Sequence, residues 1–262
     1  KFLIVTGTAF AHHDAGWLKK LRRENGFADV EIEDVTEKLA IFGIWGPKAR
    51  EILQGLTNAD LSNDAFKFMH SKEIEVKGIN LRATRITYVG ELGWELYIPV
   101  SDAMVIWKAL FDAGAFPCGY RTIESLRLEK GYLAWGGEIN TENNPYEAGL
   151  SFAISKKKSN FYGASALKDL TNPKRKLVAI TFDDIKQVPI GSEPIRVGES
   201  VIGRIKSGGQ GYTIKKAIGY AYIPVEHSSP GTNLEVEFFG TWISGLVTAT
   251  PLYDPSGSKI KS

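Results

Sequence analysis

Residues 84–99 read Thr-Arg-Ile-Thr-Tyr-Val-Gly-Glu-Leu-Gly-Trp-Glu-Leu-Tyr-Ile-Pro, two strand-like runs flanking a Gly-Glu-Leu-Gly turn. An aromatic hydroxyl, Tyr88, and a carboxylate, Glu95, lie on either side of that turn. A hairpin that brings a phenol and a carboxylate together can read a flat, amide-like ring. The carboxylate accepts from ring N–H and amino donors, while apolar and aromatic neighbours cover the ring faces. The same stretch also reads as an ordinary hairpin with solvated glutamates.

Around this stretch the pattern is β throughout from Phe66 to Pro99. Ile74 and Val76 alternate with Glu73, Glu75 and Lys77; Gly78 turns the chain; Ile79, Leu81 and Ala83 alternate with Asn80, Arg82 and Thr84. Upstream, Leu39–Trp45 reads as a buried strand, Val30–Val35 alternates like another, and Phe2–Thr6 is a short apolar strand. Helices are expected over about 15–25, with Asp14 as N-cap and Gly26 as stop, and from Gly46-Pro47 to about Leu56. Two more are expected from the Ser101-Asp102 cap to about Ala113, and over 120–131 with Gly131 as stop.

Residues 155–175 are rich in Lys, Ser, Asn and Pro, and beyond them the pattern changes. Short runs punctuated by glycine follow: Lys176–Phe182, Glu193–Val197, Val201–Lys206, Ala217–Tyr222, Asn233–Phe238 and Thr241–Thr248. No long helical pattern intervenes, so a small antiparallel barrel is expected. Gly203–Gly209 reads as a turn between barrel strands with no helix after it, unlike a dinucleotide-binding fingerprint. The expected fold class is α+β, with a sheet-and-helix region at 1–172 and a C-terminal β-barrel at 173–262.

The chain has 262 residues and a formal net charge of +2, which gives no bulk argument for a nucleic-acid or membrane-surface partner. The runs Lys156-Lys157-Lys158 and Lys174-Arg175-Lys176 read first as solvated loop charge, with a site for anionic substrate tails as the alternative. The one cysteine, Cys118, allows no internal disulfide, and the adjacent His12 and His13 make a poor chelate, so no protein-bound metal is expected. No apolar run is long enough to span a bilayer. Lys1 leads at once into an apolar run, which suggests part of a longer polypeptide.

Five blocks, in order, resemble one family. They are Tyr88-Val-Gly-Glu-Leu-Gly-Trp-Glu95, Ser125-Leu-Arg-Leu-Glu-Lys-Gly131, Asn144-Pro-Tyr-Glu-Ala-Gly-Leu150, Gly203-Arg-Ile-Lys-Ser-Gly-Gly209 and Pro251-Leu-Tyr-Asp-Pro255. Together they resemble the folate-dependent aminomethyltransferases, the glycine cleavage T-protein family. The version Gly119–Gly136 is most similar to the C-terminal half of sarcosine and dimethylglycine dehydrogenases. Ile123 and Glu124 stand where the T protein usually carries an Arg-Asp pair.

The resemblance implies tetrahydrofolate bound in a central cavity, with Glu95 accepting from the pterin ring and Tyr88 beside it. It also implies Phe152 packing on the folate and Lys176 facing its glutamyl carboxylates; plain core and a solvated linker lysine are the respective alternatives. Tyr132 and Trp135 are further cavity candidates that also read as core. The implied chemistry is one-carbon capture, in which a nitrogen of reduced folate attacks a methylene iminium derived from a methylated amine. The family's catalytic Asp, in a Gly-Gly-Ile-x-x-Asp stretch, falls upstream of Phe2–Thr6, so no catalytic residue is assigned here and the chain alone is expected to be incomplete. Asp14 reads as a helix cap instead. FAD is expected only on an upstream flavin domain, and that domain or a lipoyl carrier protein is an implied partner. The implied compartment is the bacterial cytoplasm or the mitochondrial matrix. A stand-alone aminomethyltransferase of glycine cleavage and a non-catalytic folate-binding protein are the other readings.

Overall fold

A computed structural model describes residues 1–155 and 157–262; Lys156, the first member of the first basic run, lies outside the described residues. Alternation of apolar and polar residues builds a four-stranded antiparallel sheet in the first half. The chain runs through α1 (Ala11–Glu24), β1 (Leu39–Trp45), α2 (Ala49–Gln54), β2 (Ser71–Val76), β3 (Ile79–Thr84) and β4 (Gly93–Pro99). The sheet order is β1-β4-β3-β2. Helices α3 (Ala103–Asp112) and α4 (Tyr120–Lys130) follow, then the one-turn α5 (Ala164–Leu167).

One face of this sheet is apolar. Ile74, Val76, Leu81, Ala83, Trp94, Leu96 and Ile98 pack with Ala49 and Leu53 of α2 and with Ile106 and Leu110 of α3. The helical spacing expected in α3 puts Ile106 and Leu110 in that core, whereas Val105 stays exposed. Because side chains alternate along a strand, Gly93, Glu95 and Tyr97 project from the opposite face.

The second half contains β5 (Arg175–Phe182), β6 (Pro194–Val197), β7 (Ser200–Gly211), β8 (Lys216–Pro224), β9 (Asn233–Phe238) and β10 (Thr241–Thr248), then the one-turn α6 (Ser258–Lys261). These six strands close into an antiparallel barrel in the order β10-β5-β8-β7-β6-β9. Its interior holds Ile180, Phe182, Ile195, Ile205, Ile223 and Val236. Mixed helix and sheet with a closed C-terminal barrel is the fold class expected from sequence. No helix among the described residues is long and apolar enough to cross a membrane.

Several elements depart from expectation. Phe2–Thr6 is not a strand: it pairs with nothing among the described residues, and Phe2 is 95% exposed. Val30–Val35 likewise forms no ladder, because alternation alone supplies no hydrogen-bonding neighbour. Helix α1 starts at Ala11, led in by a 3-10 turn at Thr8–Phe10, so Asp14 sits in the first turn rather than at the cap. Its carboxylate accepts from the Thr6 hydroxyl and from His13. Helix α2 is shorter than expected, with Pro47 left in the preceding turn. Gly203–Gly209 lies inside β7 and is not a turn. There the glycines admit close neighbours: a Cβ on Gly203 would meet the Tyr222 carbonyl oxygen at 2.7 Å, and one on Gly208 the Pro189 carbonyl oxygen at 2.2 Å.

Candidate functional site

The quoted stretch is a strand joined to a long loop rather than two strands around a tight turn. Strand β3 ends at Thr84, and its ladder to β4 pairs Arg82 with Tyr97, Ala83 with Leu96 and Thr84 with Glu95. Residues 85–92 form the connection. Tyr88 therefore sits in a loop, and its partner differs from the expected one. Its hydroxyl donates to the Leu133 carbonyl (2.9 Å), and its ring stacks on Tyr132 with centroids 6.0 Å apart. Burial holds the Tyr88 hydroxyl above the ordinary tyrosine range.

Glu95 is half-buried on the outer sheet face. Its Oε2 accepts from the Tyr97 hydroxyl at 2.6 Å, and among the described residues no hydrogen bond falls on Oε1. Burial, then the hydrogen bond to Glu95 and its negative charge, push the Tyr97 hydroxyl well above the usual tyrosine range. Across β1, the residue paired with Glu95 is Gly43, which offers no side chain. The Trp45 indole lies over this gap: a Cβ on Gly43 would meet its ring at 2.5 Å, and one on Gly93 would meet Trp45 Cδ1 at 2.5 Å. Trp45 is fixed by its Nε1–H, which donates to the Ile86 carbonyl (2.9 Å) in the connecting loop. The outer face thus combines a flat aromatic wall, a glycine floor and a carboxylate with one open oxygen.

The loop tip is docked rather than free. Gly90, at φ +76°, lies against the Lys130 stem, where a Cβ would meet Cγ and Cδ at 2.7 Å. Glu91 Oε1 accepts from the Tyr253 hydroxyl at 2.6 Å. Helix α4 is the seam between sheet and barrel. Arg127, Glu129 and Lys130 are all buried, each against a distant partner. Arg127 binds Glu138 (2.7 Å) and Glu124 (2.8 Å), and Glu138 also accepts from the Ser207 hydroxyl. Glu129 caps the Thr213 and Ile214 N–H groups (2.7 and 3.1 Å), and Lys130 reaches the Asp254 carboxylate (2.8 Å).

Among the described residues none of the remaining sequence candidates is hydrogen-bonded to Glu95. Phe152 is not core: it is 83% exposed in the 3-10 turn Ser151–Ala153, beside an apolar groove of about 430 Å³ lined by Pro145, Leu150, Ala153, Ile154 and Phe161. Trp135 is 53% exposed and joins an isolated bridge to Ile139. Lys176 is exposed near the start of β5. Of the six candidates, the structure brings Tyr88 and Tyr132 together and leaves Glu95 with two residues not singled out from sequence, Tyr97 and Trp45. Two-residue spacing from Glu95 was the available signal for Tyr97. Trp45 needed the β1–β4 register, which a sequence does not print.

Comparison with known proteins bears on the chain as a whole. A family model described as "GCVT N-terminal domain" matches residues 1–158, and one described as "Glycine cleavage T-protein C-terminal barrel domain" matches residues 175–254. The chain is 39% identical over 261 residues to the mitochondrial dimethylglycine dehydrogenase of Homo sapiens, covering 96% of this chain and 30% of that protein. It is 35% identical to an aminomethyltransferase of Symbiobacterium thermophilum, covering 97% of this chain and 69% of that one. The crystal structure of glycine cleavage system aminomethyltransferase T from Bartonella henselae superposes with a TM-score of 0.80 at 25% identity, covering 94% and 67% of the two chains. The chain therefore spans about 30% of the length of the dimethylglycine dehydrogenase it matches.

Proposed function

Because the chain belongs to the glycine cleavage T-protein family, we propose that it is the tetrahydrofolate-binding, one-carbon-transfer region of a dimethylglycine or sarcosine dehydrogenase-like enzyme. The observation that carries this reading is Glu95, with one oxygen held by Tyr97 and the other open on the outer sheet face.

That face fits a flat ring with donors along one edge. Glu95 supplies a charged acceptor for ring N–H and amino groups, and Trp45 over Gly43 and Gly93 supplies an apolar wall beside it. Tyr88 and Tyr132 brace the loop that carries Ile86, the acceptor for Trp45. When bound, tetrahydrofolate would supply the nucleophilic nitrogen for taking up a one-carbon unit derived from a methylated amine. This chain's residues would bind and orient its ring. Phe152 and Lys176 would meet the distal parts of the ligand, the latter its carboxylates. The flavin that generates the iminium would sit on a separate domain, with a lipoyl carrier the corresponding donor in the glycine cleavage reading. The unit carrying the sheet is placed at about 1–172 and the barrel unit at 173–262, with α4 bridging them.

The dehydrogenase-like form is preferred over the stand-alone aminomethyltransferase for a specific reason. Glu124, in place of the expected Asp of an Arg-Asp pair, is committed to Arg127 inside the seam, and Ile123 supplies no cation for a substrate tail or carrier protein.

Calorimetric titration with tetrahydrofolate tests the proposal. Glu95→Gln should weaken binding by about 1.5–3 kcal/mol, the range for a hydrogen bond to a charged group. An unchanged dissociation constant removes the ring-reading role.

A further inference from the structure

We propose that Tyr97 is a positioning residue that fixes the Glu95 carboxylate in a single orientation, one oxygen engaged and the other presented to the ligand ring. This rests on the folate reading above and deepens it.

Tyr97, the pleat neighbour of Glu95, is 5% exposed and donates to its Oε2 at 2.6 Å. The cross-strand neighbours leave the carboxylate alone. Gly43 has no side chain, and Thr84 shares its hydroxyl with Ser71 at 2.9 Å. Arg82, opposite Tyr97, is the nearest cation on the ladder, and it is turned to Glu73 and to Ser71 (3.2 Å). Among the described residues no ion pair reaches Glu95, and one neutral hydroxyl sets the direction of its carboxylate. A cation in that place would cancel the charge a donor edge needs; an apolar residue would leave a flexible side chain with several rotamers. Tyrosine does neither. Its rigid ring is itself clamped in the sheet, so the hydroxyl that holds Oε2 has little freedom of its own.

A double-mutant cycle on the protein, read by tetrahydrofolate titration, separates positioning from plain structure. Tyr97→Phe should weaken binding about three- to tenfold, the effect of one hydrogen bond. In the Glu95→Gln background the same change should cost less than about twofold, since the group it positions is already lost. A second readout is the Tyr97 hydroxyl itself, followed by NMR of ¹³Cζ-labelled tyrosine and assigned by its absence in Tyr97→Phe. Its ¹³Cζ shift at neutral pH should move in Glu95→Gln, because the charged acceptor is gone. Equal losses in both backgrounds, or a Tyr97 ¹³Cζ shift indifferent to Glu95→Gln, overturn the inference and leave the folate reading standing. Undiminished binding in Glu95→Gln alone overturns that reading and the inference with it.

Discussion

A half-buried carboxylate faced by one hydroxyl stays available because two glycines make the room for it. Gly43 and Gly93 flank Glu95 across the ladder and along the strand, and the Trp45 ring rests on both. The two differ in what a methyl group would strike. At Gly93 it would meet the Ile44 carbonyl oxygen at 2.1 Å, which is backbone and cannot swing aside; at Gly43 the three nearest atoms all belong to the indole. Gly93→Ala should therefore destabilise the protein by about 1–3 kcal/mol or more, as overpacking does. Gly43→Ala should cost less stability but displace Trp45, visible as altered tryptophan emission and weaker folate binding. Urea unfolding of the two variants checks the order. Glu95 was singled out in the sequence as a carboxylate flanking a turn, and the structure places it half-buried on β4. Tyr97 was not singled out, and Tyr88 lies in a connection of eight residues, 85–92, where a tight turn was expected.

Among the elements, α4 is the least readable from its own sequence and the most connected in the fold. Its ends were plain: Gly119 precedes it, and Gly131 closes it at φ +73°. Its burial was not. Arg127, Glu129 and Lys130 look like a solvated run until Glu138, Thr213 and Asp254 arrive from elsewhere in the chain. Glu138 is fully buried against Arg127. Glu138→Ala leaves that guanidinium buried with half its neutralisation removed, and should destabilise the protein by about 3–5 kcal/mol. Replacing both partners, as Arg127→Met with Glu138→Leu, should recover much of that loss. Chemical unfolding of single and double variants decides it: a double variant as unstable as the single would mean the pair matters for more than mutual neutralisation. The same blindness to distant partners explains Val30–Val35, which alternates but finds no ladder, and β7, whose glycines read as a turn but in fact admit the Tyr222 and Pro189 carbonyls.

At the scale of the whole molecule, sheet and barrel have separate cores joined by polar clasps. The Leu128 side chain packs with Ala179, Ile218 and Tyr220 of the barrel, and the Tyr220 hydroxyl donates to the Leu128 carbonyl at 2.8 Å. Near the far end, Arg50 and Arg85 both donate to the Ser262 carbonyl (2.7 and 3.0 Å), holding α6 against the sheet unit. The Lys130–Asp254 pair is the titratable clasp. Burial opposes ionisation of Asp254, but its hydrogen bonds to Lys130, Ser258 and Lys259 outweigh that and hold the carboxyl well below the usual range. A carboxyl depressed by folding adds stability that is fully present above its unfolded value, about pH 4, and fades as the pH falls below it. Asp254→Asn should thus destabilise the protein more at pH 7 than at pH 3, measured by urea unfolding at both. A gap that stayed constant would show that the charge of Asp254 adds nothing. The barrel was legible strand by strand, each expected run falling on one of its six strands, although Gly203, Gly208, Gly209, Gly219 and Gly245 lie within strands and not in turns.

The most direct test of the central claim is a crystal structure of the protein soaked with tetrahydrofolate. The pterin edge is expected within hydrogen-bonding distance of Glu95, about 2.6–3.2 Å, with Tyr97 still holding Oε2. A ligand lodged instead in the Pro145–Phe161 groove, with the Glu95 carboxylate left to solvent, would contradict the account.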